Sequence, residues 1–278
     1  MSHSGDIINV GERKVFLVRG IFDYFDKNNF NRLLAEHEQA KKIGAEFFVA
    51  LYSDEILEKV GHTRKLKGLV NDEDRIAMLE AIDFVDGAFI INSSKRQSVE
   101  ESLKARMFEK MMEHKEEDSD VSKKYKIGYA SGAFSNLHKG HIEHLRDMSK
   151  QCQTVIVAAN SDDLIKNYKH KKVTVDEDTR RLILSHIKYV DMAIITDEYD
   201  KLKAVSKVRD LCGKEFDAIF VGSDWKGDPK WEEFQAKLST MGIDVVFTDR
   251  PENGISTTKI DGAKGRKNGT KGGMEITE

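Results

Sequence analysis

Two stretches of this chain read almost alike: Val15-Phe-Leu-Val-Arg-Gly-Ile-Phe22 and Ile127-Gly-Tyr-Ala-Ser-Gly-Ala-Phe134. Each is an apolar run that ends in a glycine turn, which predicts a strand followed by a tight turn. In both copies the next residues have apolar positions at helical spacing, which predicts a helix. Second apolar strands follow at Phe47–Asp54 and Val155–Asp162, and both end in Ser-Asp.

The correspondence continues in the same order along both copies. Each copy next has a basic stretch, an acidic stretch that ends in arginine, a helix, a Val-Asp pair and a strand. The matched segments are Arg64–Lys67 with Lys169–Lys172, Val70–Arg75 with Val175–Arg180, Phe84–Asp86 with Tyr189–Asp191, and Ala88–Ile91 with Ala193–Ile195. This order predicts a tandem duplication of one α/β unit. Apolar strands that alternate with helices predict parallel sheets, whose ligands bind beyond the carboxyl ends of the strands.

After these segments the two copies differ. The second copy continues with a predicted helix, strand, helix and strand at Lys201–Leu211, Ala218–Gly222, Trp231–Met241 and Ile243–Phe247. The first copy has no such strands, but has a predicted helix from Ser98, where Glu101 completes a capping box. An apolar stripe runs along this helix through Val99, Leu103, Met107 and Met111. We expect the stripe to cover the sheet edge that the missing strands leave.

The predicted organisation has four parts. They are the first, truncated copy over residues 1–95, a helical linker over 96–124, the second copy over 125–262, and a Gly- and Lys-rich tail over 263–278 that we expect to be disordered.

The composition excludes several classes of protein. The chain has 278 residues, 45 Lys and Arg against 48 Asp and Glu, a net charge of -3, and 2 Cys. No apolar run reaches the roughly 18 residues of a membrane span, and the first residues lack the order of a signal peptide. Two cysteines make no disulfide framework, and a net charge near zero weighs against nucleic-acid binding. We therefore expect a cytoplasmic protein that binds neither membranes nor nucleic acids.

The sharpest chemical signal is Gly132-Ala-Phe-Ser-Asn-Leu-His138-Lys-Gly140-His141, between a predicted strand and a predicted helix. Two histidines three residues apart share one face of the first helical turn, and Gly140 lets a ligand approach closely. The N–H groups of a helix start favour an anion, and imidazoles beside them can donate hydrogen bonds to phosphate oxygens. An ordinary helix start with surface histidines is the alternative. A zinc site is another, although only two of its ligands would be local.

Three further segments lie at or near predicted strand ends of the second copy. Arg250–Thr258 combines a glycine turn with hydroxyl residues and an arginine, which is typical of an anion site and also of a common helix N-cap. Gly222–Gly227 offers an aromatic face and a carboxylate to a base or ribose. Lys169–Lys172 is a basic loop, either a phosphate contact or a solvated surface.

In this order, the motifs resemble the cytidylyltransferases of the HxGH nucleotidyltransferase superfamily, and most of all the glycerol-3-phosphate cytidylyltransferases. The HxGH and GISTT segments on a strand–helix frame carry the resemblance, which covers about residues 125–260. It implies a Rossmann-like parallel sheet and transfer of CMP from CTP to a small phosphorylated alcohol or acid, with release of pyrophosphate. It also implies Mg²⁺, carried mainly by the phosphates of CTP, with no protein ligands assigned.

The resemblance also implies a role for individual residues. His138 and His141 would stabilise the pentacoordinate α-phosphate, and Lys171 would neutralise phosphate charge as a third catalytic residue. Arg180 and Asp191 would support the site or a subunit contact. The implied nucleotide-binding residues are Gly132, Ala133, Phe134, Gly140, Lys169, Lys172, Gly222, Asp224, Trp225, Arg250, Gly254, Ile255, Ser256 and Thr257.

The chain departs from the family pattern at several positions. The threonine and aspartate that flank the family's phenylalanine are Ala133 and Ser135 here, and the arginine of its R-Y-V-D segment is Lys188. Asn253 lengthens the loop before Gly254. Lysine keeps the charge of arginine but not its bidentate fork, so these changes bear more on the substrate than on the reaction. Related adenylyltransferases share the HxGH and STT segments, so use of ATP is one alternative, and a non-catalytic nucleotide sensor is another.

The first copy lacks the two histidines, because Asp26-Lys-Asn-Asn29 stands at their positions. A carboxylate there would repel a triphosphate, so we expect an inactive copy, with binding of a different ligand as the alternative. Family members form dimers, and the ethanolamine-phosphate cytidylyltransferases carry tandem copies. The resemblance therefore implies either a homodimer or an intrachain pseudo-dimer.

Overall fold

The structure is a computed structural model that describes residues 5–64, 66–93, 95–113, 122–167, 173–198, 200–212, 216–223, 226–227 and 229–249. The described residues form two compact units, one before residue 114 and one from residue 122 to 249. Residues 114–121 of the predicted linker and the predicted tail after residue 262 lie outside the described residues.

The first unit is built on a mixed sheet. Its elements are β1 (Asp6–Val10), β2 (Arg13–Gly20), α1 (Lys27–Lys42), β3 (Glu46–Tyr52), α2 (Asp54–Lys59), α3 (Asp72–Glu80), β4 (Gly87–Ile91) and α4 (Arg96–Glu113). The strand order is β1-β2-β3-β4, with β2, β3 and β4 parallel and β1 antiparallel to β2. The expectation of an all-parallel sheet is wrong here, because a tight turn at Gly11, with φ of 62°, returns β1 onto β2.

Helix α4 packs on one face of this sheet. Val99, Leu103 and Met107 are buried in one cluster with residues of all four strands. Met111, the last residue of the predicted stripe, is 55% exposed, so the buried stripe ends one turn earlier. The helix begins at Arg96, which makes the predicted N-cap at Ser98 wrong.

The free edge of β2 is paired by β1, not covered by α4 as expected. Helix α4, which the sequence analysis placed in a linker, clusters with the first unit. The domain boundaries at residues 95, 124 and 262 stay predictions.

The second unit is an α/β fold with a parallel sheet of five strands. Its elements are β5 (Tyr125–Gly132), α5 (Lys139–Gln151), β6 (Cys152–Asn160), α6 (Asp162–Asn167), α7 (Glu177–Ser185), β7 (Met192–Thr196), α8 (Lys201–Cys212), β8 (Phe216–Gly222), α9 (Pro229–Thr240) and β9 (Asp244–Thr248). The strand order is β7-β6-β5-β8-β9, and every neighbouring pair is parallel. The predicted parallel sheet of the second copy is confirmed.

This strand order defines where a ligand can bind. From β5 the chain moves outward through β6 and β7, and it then crosses to the other side of β5 to form β8 and β9. In a parallel sheet, ligands commonly bind at the carboxyl ends of the two strands between which the order reverses, so we expect a ligand crevice at the ends of β5 and β8. None of the described helices has the length and apolar character that crossing a membrane requires.

Each unit has the same local contacts at matched positions. Phe22 and Phe134 have φ angles of 47° and 46°, which are left-handed values that non-glycine residues seldom adopt. Asp86 accepts a hydrogen bond from the Phe47 amide at 2.7 Å, and Asp191 accepts one from the Val155 amide at 2.7 Å. These contacts favour the duplication, which stays a prediction.

Candidate functional site

The turn that follows β5 folds an aromatic ring against the start of α5. Phe134 is 7% exposed, and its ring centroid lies 5.2 Å from that of His141. A Cβ atom on Gly132 would lie 3.0 Å from the Phe134 ring, so the glycine lets the ring fold back on the strand end. The left-handed backbone at Phe134 thus places a buried ring under a histidine.

The two histidines lie together at the amino terminus of α5. His138 is the N-cap residue in extended conformation, and its carbonyl oxygen accepts hydrogen bonds from the His141 and Ile142 amides at 2.8 and 3.2 Å. The ring centroids of His138 and His141 are 3.9 Å apart, and His138 is 7% exposed. The structure therefore brings together the pair that the three-residue spacing predicts, with Gly140 between them in the first helical turn.

The imidazole of His138 makes no capping hydrogen bond to its helix. The matched residue of the first unit, Asp26, caps α1 with its carboxylate, which accepts a hydrogen bond from the Asn29 amide at 2.8 Å. A helix start favours negative charge because its first N–H groups have no partner within the helix. The first unit supplies that charge from its own side chain, whereas α5 begins without an acidic residue in its first turn.

Arg180 ties the site loop to the neighbouring strand. Its guanidinium, in a residue 1% exposed, donates to the carbonyl oxygens of Ala133 at 2.7 Å, Asn160 at 2.6 Å and Val175 at 2.9 Å. It also pairs with the carboxylate of Asp162 at 2.6 Å. The arginine that the sequence analysis expected to support the site thus holds the backbone of the loop between β5 and α5.

Asp191 does not belong to this arrangement. It binds the Val155 amide near the start of β6, which is the end of the sheet opposite to Asn160. The structure thus does not bring Asp191 to the strand ends beside the histidines, and a supporting role in the site stays a prediction. Its alternative role in a subunit contact stays a prediction.

The carboxyl end of β9 contributes one contact that the sequence motifs do not predict. His144 Nδ1 lies 2.6 Å from the Thr248 hydroxyl oxygen, and Thr248 pairs in register with Gly222 at the end of β8. The sequence feature that could have indicated this contact is a third histidine, His144, three residues after His141.

The remaining predicted site residues lie outside the described residues. They are Lys169, Lys171, Lys172, Asp224, Trp225, Arg250, Gly254, Ile255, Ser256 and Thr257. Among the residues that the structure describes, no group of three or more His, Cys, Asp or Glu is placed to hold a metal ion.

Comparison with known proteins identifies the fold of the second unit. The profile of the family described as cytidylyltransferase-like matches residues 129–263. The FAD synthase of Archaeoglobus fulgidus is 33% identical over 118 residues, covering 42% of this chain and 80% of that protein. The glycerol-3-phosphate cytidylyltransferase of Bacillus subtilis is 35% identical over 129 residues, covering 46% of this chain and 89% of that protein.

This chain belongs to the cytidylyltransferase-like family. A solved structure, the lipopolysaccharide core biosynthesis protein from Thermoplasma volcanium GSS1, is 32% identical and covers 45% of this chain and 96% of its own, with a TM-score of 0.38. The family match over residues 129–263 and the identity to the glycerol-3-phosphate cytidylyltransferase confirm the resemblance that the HxGH and GISTT segments indicated.

The first unit has a different arrangement at the matched end of its sheet. Arg64 is 3% exposed and pairs with Asp23 and Asp54, each at 2.5 Å. It also donates to the carbonyl oxygen of Val70 at 2.8 Å. The hydrogen bond from Arg64 lowers the pKa of the Asp54 carboxyl below its usual value. A buried cation with two carboxylates thus fills this end of the first sheet, whereas the cytidylyltransferase-like unit has Ser135 where Asp23 stands.

Proposed function

We propose that the cytidylyltransferase-like unit transfers CMP from CTP to a small phosphorylated alcohol or acid and releases pyrophosphate. One observation carries the proposal: His138 and His141 lie with ring centroids 3.9 Å apart at the start of α5. That helix follows β5, whose carboxyl end borders the crevice of the sheet. The family supplies the reaction class, a nucleotidyl transfer.

In the proposed reaction, a phosphate oxygen of the acceptor attacks the α-phosphorus of the nucleotide in line. The bond from the α-phosphorus to the oxygen that bridges to the β-phosphorus breaks, and pyrophosphate leaves with that electron pair. Phosphoryl chemistry of this kind needs little covalent help from a protein, which acts by positioning and by stabilising charge. Ring N–H groups of His138 and His141 would donate to the α-phosphate oxygens as negative charge grows there.

The backbone of α5 supports the same role. The N–H groups of Lys139 and Gly140 precede the first intrahelical hydrogen bond, which the His141 amide makes to His138. A phosphate oxygen at this helix start would take the place that the Asp26 carboxylate takes in the first unit. The absence of a side chain on Gly140 leaves room for it.

The other parts of the proposed site come from the family resemblance. Lys171, with Lys169 or Lys172, would neutralise phosphate charge, Ser256 and Thr257 would bind the β- and γ-phosphates, and Asp224 and Trp225 would line the nucleoside. Mg²⁺ prefers oxygen ligands and commonly binds through substrate phosphates. We propose that it enters with the nucleotide, because the described side chains beside the histidines offer it no cluster of carboxylates.

We also propose that the first unit is an inactive copy with a structural role, as a pseudo-dimer partner within the chain or in a homodimer. Asp26 already occupies the helix start, and Arg64 with its two carboxylates fills the strand ends. A nucleotide would have to displace both.

Pyrophosphate release from CTP or ATP, with Mg²⁺ and a panel of phosphorylated acceptors, tests the function. Release with CTP is the expected result, and release with ATP alone would show the base assignment to be wrong. ATP is the second candidate because an FAD synthase, whose named product contains adenine, is as similar to this chain as the cytidylyltransferases are. Tight nucleotide binding without turnover of any acceptor would favour a sensor.

A further inference from the structure

His144 connects the helix that bears the two catalytic histidines to the far side of the crevice. It follows His141 by three residues and so lies one turn further along the same side of α5. Its Nδ1 atom lies 2.6 Å from the hydroxyl oxygen of Thr248, the last residue of β9. Thr248 is 8% exposed, so little water competes for this contact.

The Thr248 hydroxyl group contacts both His144 and strand β8. The Thr248 hydroxyl donates to the carbonyl oxygen of Val221 in β8 at 3.2 Å. With its proton directed to Val221, the hydroxyl oxygen accepts from His144 in the tautomer that carries the proton on Nδ1. A chain of two hydrogen bonds thus joins α5 to β9 and β9 to β8, across the point where the strand order reverses.

We propose that His144 and Thr248 are a positioning pair for nucleotidyl transfer, an inference that rests on the proposed function. The pair holds the histidine-bearing helix at a fixed distance from the carboxyl ends of β8 and β9. The chain continues from these two ends towards Asp224 and Trp225, which we propose line the nucleoside, and towards Ser256 and Thr257, which we propose bind the β- and γ-phosphates. In-line transfer requires the nucleoside and the phosphates to be held in fixed positions relative to the histidines. A shift of α5 away from β8 and β9 would therefore lower the rate.

Four variants test the pair. Thr248→Val removes the hydroxyl and keeps the side-chain shape, and His144→Leu removes the donor. Thr248→Ser keeps the hydroxyl, and His144→Asn keeps an N–H donor near the position of Nδ1. Thr196→Val is the matched control, because Thr196 ends β7, is 9% exposed and accepts a hydrogen bond from the Glu198 amide with its hydroxyl oxygen.

Steady-state kinetics at 25 °C, with melting temperatures of all variants, separates positioning from stability. We expect Thr248→Val and His144→Leu each to lower kcat by about tenfold to a hundredfold. The double variant should lose no more than the worse single one, because both changes remove the same contact. Thr248→Ser and His144→Asn should recover most of kcat, and Thr196→Val should keep it even where its melting temperature falls. Wild-type kcat in both single variants, or an equal loss in Thr196→Val, would overturn the pair.

The outcome for the pair is separable from that for the proposed function. Should the wild-type protein turn over neither nucleotide, the proposed function fails on its own. Calorimetric affinities for Mg²⁺-CTP and Mg²⁺-ATP then decide, because the pair requires weaker binding by Thr248→Val than by Thr196→Val. Equal affinities, or no binding of either nucleotide by the wild type, would refute the pair.

Discussion

The helix starts at His138 and Asp26 predict opposite consequences for the same kind of truncation. His138 begins α5 without capping it, and Asp26 begins α1 with a capping hydrogen bond of 2.8 Å to the Asn29 amide. His138→Ala therefore removes the donor that we propose for the reacting phosphate, and Asp26→Ala removes a helix cap. The two variants form a matched pair within one chain.

The magnitudes follow from these contacts. Loss of one preorganised donor to a developing oxyanion costs about 10²–10³ in kcat, or about 2.7–4 kcal/mol. Loss of an aspartate N-cap costs about 0.5–2 kcal/mol of stability. His138 is 7% exposed and its ring contacts His141, so its truncation costs about 1 kcal/mol of stability as well. The two variants should thus be similar in stability and differ in kcat by two orders of magnitude or more.

Urea denaturation measures the two stabilities, and pyrophosphate release under saturating nucleotide and acceptor measures kcat. His138→Asn, which keeps an N–H donor, should recover part of the activity. The reasoning is refuted if His138→Ala turns over as fast as the wild type. It is refuted equally if Asp26→Ala loses as much kcat as His138→Ala at matched stability.

Three further predictions concern the rest of the chain. Arg180→Met should lower the free energy of unfolding by about 3–5 kcal/mol, because Asp162 loses its buried partner and three carbonyl oxygens lose their donor; a loss below 1 kcal/mol would contradict this. Burial raises the pKa of the Cys152 thiol to about 12, so its stabilising contribution is complete below the exposed-thiol pKa of about 8.5 and is lost as the pH rises towards 12. Urea denaturation across that pH window should show a shallower decline of the free energy of unfolding with pH for Cys152→Ala than for the wild type. Equal slopes would show that the thiol does not contribute to the pH dependence of stability. Calorimetric titration should find one nucleotide bound per chain. Two bound nucleotides would show that Asp26 and Arg64 do not prevent nucleotide binding by the first unit.

Much of the second unit could be predicted from the sequence. Its five strands alternate with helices, and each strand is an apolar run bounded by turn residues, so local periodicity is sufficient to place them. The pairing of His138 with His141 is equally local, because three residues in a helix amount to nearly one turn. The family was recognisable for the same reason: its HxGH and GISTT motifs are short segments of adjacent residues.

The errors in the first unit have two causes, a short hairpin with little sequence pattern and the packing of α4 on the sheet. Strand β1 was missed because a short strand that pairs antiparallel through a turn at Gly11 has too few residues for a clear pattern. Once β1 pairs with β2, the edge needs no cover, and α4 is available to pack on the face of the sheet. Met111 is exposed because it lies beyond the buried cluster that α4 forms with the sheet. Helical periodicity in the sequence cannot show where that cluster ends.

By itself, the sequence determined the alternation of strands and helices in the second unit, the glycine turn before Phe134 and the presence of two histidines on the first turn of a helix. These features depend on residues that are neighbours in the chain. Only the tertiary structure decided that Arg180 holds the loop between β5 and α5, that Arg64 forms ion pairs with Asp23 and Asp54, and that His144 contacts the Thr248 hydroxyl. Each of these contacts joins elements that are brought together by strand order, and a hydrogen bond of 2.6 Å exists only where that order places donor and acceptor in reach.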